Sequence, residues 1–409
     1  MPIRQPVSLA ALALTAFAAM SSSSTAWATE LFDACAASGA SRFELGYEEF
    51  GPADTAQFYA YDAVEKCEAA LAEESGNVQI MAWLGHALVA DGKGARGILL
   101  LEPAAAAGNM FAQRALGDLL ILGDSVRQDK ERGVQLLQQS AGQGFVPAYL
   151  SLAYSYEFGD GVRADAIKAM ELYVQAAEGG LLRAQLIAAD HYQRGIGVAV
   201  NDAEAFRWLS TAADSGDADT LYKLGVAYLE GRGIEQSYSD ALVAFQASAD
   251  NFSPEGSTAL GYMVELGLDT DIDLDRASNL YSTGRYANVP VAKHNYARLE
   301  EEGTAFEASP ANARELYEEA AQAGELRAAV NLALMMLQGA GGPQDIEGAF
   351  AWTKRAADGG NAAGLNNLGR MYELGLGVAA DAAEARRLYG EAAALGYELA
   401  AENLNRIGG

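Results

Sequence analysis

Residues 368–396 read LGRMYELGLGVAADAAEARRLYGEAAALG, and the spacing within this stretch decides the fold. Leu368-Gly369 and Tyr372 fall at helical intervals, and Gly375-Leu376-Gly377 follows as a break. Asp381 then stands where an acidic residue caps a helix or favours its dipole. From there Ala385, Tyr389 and Ala392-Ala393 recur at helical spacing until Gly396, a residue that ends helices in the left-handed conformation. The stretch therefore predicts two helices, a tight glycine connection between them and a glycine stop.

The same pattern recurs along the chain every 36 residues, as in Gly108, Gly144, Gly180, Gly216, Gly324, Gly360 and Gly396. A Leu-small pair repeats as Leu116-Gly117, Leu152-Ala153, Leu224-Gly225, Leu260-Gly261, Leu332-Ala333 and Leu368-Gly369. Another column holds only small residues, from Gly133 and Ala169 to Ala349 and Ala385. Small residues at fixed positions let paired helices approach closely. The second copy predicts helices over roughly 148–158 and 166–177. Pro147, Pro254 and Pro290 fall at the starts of first helices, where a missing N–H costs nothing. Asp129, Asp165, Asp273, Asp345 and Asp381 fall at the starts of second helices. No strand pattern competes. The expected fold is all-α: an α-solenoid, a right-handed superhelix of about nine antiparallel helix pairs, each burying its apolar face on its neighbours.

The motif Leu-Gly-x-x-Tyr-x-x-Gly-x-Gly-Val, then Asp, Ala, Trp or Tyr, and Ala-Ala-x-x-Gly resembles the Sel-1-like repeat, a longer relative of the tetratricopeptide repeat. Eight units fill residues 109–396, preceded by a shorter one at 78–108 whose helix connection is Asp91-Gly92-Lys93-Gly94. Residues 29–77 fit no repeat and are expected to form an amino-terminal cap, with Asp54 and Gln57 as a capping box for the helix carrying Cys67. Residues 397–409 begin another first helix and stop, which suits a carboxyl-terminal cap.

Residues 1–28 read as a secretory signal: Arg4, an apolar run from Val7 to Met20, and Ala26-Trp27-Ala28 as the cleavage pattern. The apolar run is too short to span a bilayer, so membrane insertion is not expected. Cleavage after Ala28 would release a periplasmic or secreted chain. Cys35 and Cys67 are then its two cysteines and read as one disulfide, closing a loop that stabilises by about 3–4 kcal/mol on loop-entropy grounds. Asp plus Glu outnumber Lys plus Arg by 55 to 28, a formal charge of −27 that argues against nucleic acid and anionic membranes as partners.

The sequence supplies little chemistry. His86, His191 and His294 lie in different repeats and different columns, so no metal site or cofactor is expected. The Gly-x-Gly pairs join helix to helix, not strand to helix as a dinucleotide loop requires. Asp269, Asp271, Asp273 and Asp275 alternate as calcium ligands can, but Leu274 and Leu280 stand where an EF-hand needs Gly and Glu. That run is expected to be a solvated acidic loop.

Two columns of the first helices vary widely while the packing columns do not. They supply Tyr154, Asp190, Tyr262, Arg298 and Arg370 from one column, and Phe158, Arg194 and Glu230 from the other. In solenoids the first helices commonly line the concave surface, so these eight residues are the candidate partner-binding set. The resemblance implies a non-enzymatic scaffold or regulatory adaptor, monomeric, that binds a protein partner through this face. The alternatives are an envelope-glycan or peptidoglycan-binding module and a hydrolase of cell-wall or β-lactam substrates. The hydrolase belongs to cysteine-rich relatives, and this chain has no cysteine in its repeats. Phe252 and Asn288 replace closing glycines, Tyr281–Tyr286 replaces a usual helix end, and Asp269 replaces a linker glycine. A changed helix end is expected there, and the stretch reads either as neutral drift of the central repeats or as a docking point with Tyr262 and Arg298 exposed beside it.

Overall fold

A computed structural model describes residues 29–44, 58–305 and 307–408. The leader and the Asp54–Gln57 pair lie outside the described residues. Contacts divide the chain into two units, one ending at Thr211 and the other beginning at Ala212. Every regular element among the described residues is a helix.

In the first unit α1 spans 29–39, followed by α2 (Ala60–Glu73), α3 (Val78–Ala90), α4 (Gly94–Ala106), α5 (Met110–Leu122) and α6 (Lys130–Gly142). Then come α7 (Val146–Phe158), α8 (Ala166–Glu178), α9 (Leu182–Arg194) and α10 (Asp202–Ala213), whose last residues cross the division. The second unit holds α11 (Ala218–Glu230), α12 (Tyr238–Asp250), α13 (Pro254–Leu266), α14 (Leu274–Tyr286) and α15 (Pro290–Glu302). It continues with α16 (Pro310–Gln322), α17 (Leu326–Gln338), α18 (Ile346–Asp358), α19 (Ala362–Leu374), α20 (Ala382–Ala394) and α21 (Glu398–Gly408). From α3 to α9 and from α11 to α21, a first helix packs on its second helix, and the second helix packs on the next first helix. This is an α-solenoid of helix pairs, each pair held by its neighbours.

Sequence accounts for many of these boundaries. The side chains of Asp129, Asp165, Asp273, Asp345 and Asp381 accept from backbone N–H groups in the first turns of α6, α8, α14, α18 and α20. Pro147, Pro254 and Pro290 occupy the first turns of α7, α13 and α15. Close approach is visible at Gly369, where a Cβ would lie 3.0 Å from the Tyr389 ring. The missing side chain of the Leu-small pair is the space into which the second helix inserts its aromatic residue.

Cys35 on α1 and Cys67 on α2 form a disulfide, with their Cα atoms 4.6 Å apart. Beside it Trp83 is fully buried and donates from Nε1 to Glu44 Oε2 at 2.9 Å. Glu44 also accepts from Ser41 N and from Gln79 Nε2, so this buried carboxylate ties the amino-terminal segment to α3. The helix carrying Cys67 begins at Ala60, with Tyr59 at its cap and no side-chain capping bond.

The expected change of helix end at Phe252 and Asn288 does not occur. Both adopt the left-handed conformation that glycine takes elsewhere, with φ 65° and 64° against 87° at Gly144. Ser253 N still reaches Ser248 O, as Phe145 N reaches Ser140 O. The Tyr281–Tyr286 segment likewise completes α14, and Arg285 lies between the rings of Tyr286 and Tyr296 at 4.7 and 4.2 Å. Tertiary packing holds the repeat's end geometry although the residue best suited to it is absent.

Candidate interaction face

One face of the first helices carries the two variable columns. Their outer column is exposed at every repeat, including Leu122 (73%) and Phe158 (68%). The inner column ranges from half-buried to exposed. In the first unit Tyr154 is half-buried and stacks on Phe158, with centroids 6.2 Å apart and planes 16° from parallel. Its edge meets Tyr173 at 5.6 Å, and the Arg183 guanidinium lies 5.4 Å from its centroid. Asp190 and Arg194 pair with each other at 3.0 Å on α9.

A recess of about 210 Å³ opens between α3, α4 and α5, lined by His86, Leu101, Arg114, Asp118 and Leu119 among others. Arg114 Nε donates to Asp118 at 2.8 Å. Burial raises the Asp118 carboxyl, against the opposing pull of Arg114. The His86 ring lies between Phe58 and Phe111 at 5.2 and 5.3 Å. Burial, assisted by the Arg114 charge, depresses it to about 4, so it is neutral near neutral pH.

In the second unit Glu230 is exposed and pairs with Arg232 at 2.6 Å, Tyr262 is 41% exposed, and Arg370 is exposed. Arg298 departs from expectation. It is half-buried and engaged by Glu265 and, at 3.1 Å, by Glu302, so it ties α13 to α15. The docking point expected at Tyr262 and Arg298 therefore contains a structural ion pair. Asp273 of the acidic run caps α14, and among the described residues no three His, Cys, Asp or Glu side chains are grouped to hold a metal.

Sequence reading missed a part-buried pairing. Tyr173, Tyr281, Tyr317 and Tyr389 occupy one column of the second helices, and each hydroxyl donates to the glutamate 16 residues earlier: Glu157, Glu265, Glu301 and Glu373. The other four repeats lack both partners, carrying Ile121 with Leu137, Gln193 with Leu209, Leu229 with Phe245, and Leu337 with Thr353. The joint change was available in the sequence and is visible once the two columns are compared. Tyrosine without an acceptor would bury an unpaired hydroxyl, which is why the residues change together.

The Sel1 repeat family model matches residues 111–145, 146–181, 182–217, 218–250, 254–283, 290–325, 326–361 and 362–397. The chain belongs to the Sel1-repeat family. It is similar over 93% of its length to 90% of a protective antigen of uropathogenic Escherichia coli strains that displays this fold, with 27% identity and a TM-score of 0.59. A Sel1 repeat protein from Oxalobacter formigenes is 28% identical, with 75% of this chain covering 89% of that one and a TM-score of 0.57. No curated protein matches the sequence. The matched repeats shorten at 218–250 and 254–283, where Phe252 and Arg285 depart from the pattern. The Sel1-repeat fold is a scaffold typical of protein–protein interaction.

Proposed function

We propose that this chain is an exported, non-enzymatic scaffold that binds a protein partner through the first-helix face of its repeats. One observation carries the reading: Leu122 and Phe158 project from consecutive first helices, largely exposed, beside the stacked Tyr154 ring. Apolar and aromatic groups at one register of successive repeats give a partner an anchor that folding leaves unused. Export is supported by the leader-like residues 1–28 and by a disulfide in the segment that follows.

Capture from a periplasmic extract with Leu122→Ala/Phe158→Ala tests the face. Stoichiometric recovery of one protein should fall at least tenfold, about 1.4 kcal/mol, with thermal stability unchanged. Equal recovery by the variant would remove this face as the site, and recovery of glycan alone would replace the protein reading. Sequencing the exported chain should give Thr29 at its amino terminus. A product beginning at Met1 in the cytoplasmic fraction would refute export.

A further inference from the structure

The four Tyr–Glu pairs are not equally completed. Glu265, held by Tyr281, receives the guanidinium of Arg298, and Glu373, held by Tyr389, receives that of Arg406. In both cases the arginine lies 33 residues beyond the glutamate, on the next first helix. At Glu157 the following helix offers His191, whose Nε2 is 3.7 Å from the carboxylate. Glu301 is the exception. Tyr317 donates to its Oε2 at 3.0 Å, but the residue 33 positions on is Leu334, partly exposed, and no described cation pairs with it. Its carboxylate is exposed, whereas Glu265 and Glu373 are covered by their arginines.

We propose that the Tyr317–Glu301 seat accepts an arginine side chain from the protein partner, in the place that Arg298 and Arg406 fill at the sister seats. The proposal rests on the scaffold reading and names the chemistry of its partner. The chain shows twice, with its own residues, that a carboxylate fixed by a tyrosine hydroxyl at this register takes a guanidinium. Arginine suits it because the planar fork can meet both carboxylate oxygens, whereas an ammonium is a point charge. The exposed Leu334 side chain offers an apolar surface for the arginine stem. A net charge of −27 attracts a cationic segment towards the face.

The test titrates Nα-acetyl-arginine methylamide into the mature chain carrying ring-labelled tyrosine, with the Tyr317 resonance assigned by its loss in Tyr317→Phe. A saturable shift at Tyr317 is expected, at least tenfold weaker with the lysine analogue. Leu334→Arg should fill the seat from within and abolish the response while the melting temperature holds or rises. Arg298→Leu should open the sister seat, so that Tyr281 responds as well. No shift at Tyr317 in the folded parent chain would overturn the proposal, as would a full response in folded Leu334→Arg. Equal responses to the arginine and lysine probes would overturn the choice of guanidinium. These readings need no partner, so a failed seat is distinguishable from loss of capture in Leu122→Ala/Phe158→Ala, which tests the scaffold reading itself.

Discussion

Phe252 holds φ 65° with its ring 91% exposed, so it carries the strain of a left-handed side chain and gains almost no burial. Phe252→Gly should therefore stabilise the chain by about 1 kcal/mol, seen as a higher urea midpoint with an unchanged slope. A lower midpoint would show that the ring contributes to folding after all. Two buried histidines contribute to the acid response. Burial depresses His86 and His294 from 6.5 to about 4, with nearby arginines adding to the effect. The fold accepts the neutral ring, whereas the unfolded chain takes up a proton near 6.5. Their contribution is thus complete above that pH and is lost as pH falls towards about 4. Glu373 acts with the same sign at lower pH, because Arg406 and Tyr389 hold its carboxyl at about 2. Its contribution is present above 4.5 and is lost only as pH falls through about 2. His86→Phe should flatten the stability decline between pH 6.5 and 4, measured by urea unfolding across that range. An unchanged slope would place the His86 proton equilibrium elsewhere.

Helix pairs obey a rule in which a tyrosine on one helix demands a glutamate on the other. Tyr317→Phe should cost about 1 kcal/mol by leaving Glu301 without its donor. Adding Glu301→Leu should restore most of that loss, because Phe245 beside Leu229 already works in a sister repeat. A double-mutant cycle with no coupling would refute the pairing. Much of this scale was legible beforehand. The proline starts, the aspartate caps and the glycine stops follow from single-residue chemistry at fixed spacing. Arg298 was misread because variability was taken for exposure, although its carboxylate partner lies 33 residues back on another helix. Phe252 was misread because propensity was taken for geometry, and neighbouring repeats impose the turn regardless. The face itself could be found from column variation. The seat at Glu301 could not, since it depends on which sister glutamates are already occupied.

Each unit is built of locally held helix pairs, so a cut between units should be tolerated. Residues 29–216, with residues 397–409 grafted on as a cap, should stay soluble and helical by circular dichroism. The division near Thr211 supports that choice of cut, and loss of all helicity would argue for one closed domain. Reduction of Cys35–Cys67 should speed hydrogen exchange in α1 and α2 before it affects α19 or α20. Uniform acceleration along the chain would contradict neighbour-only coupling. The same bond has a mechanical consequence. Under tension applied between residue 29 and the carboxyl terminus, repeats should yield in a series of small steps. The disulfide spans a separation of 32 residues, so the oxidised chain withholds roughly 110 Å of extended contour from the pulling force. A reductant would release that slack as one added increment, making the amino-terminal end a chemically gated stop on how far the molecule can be drawn out.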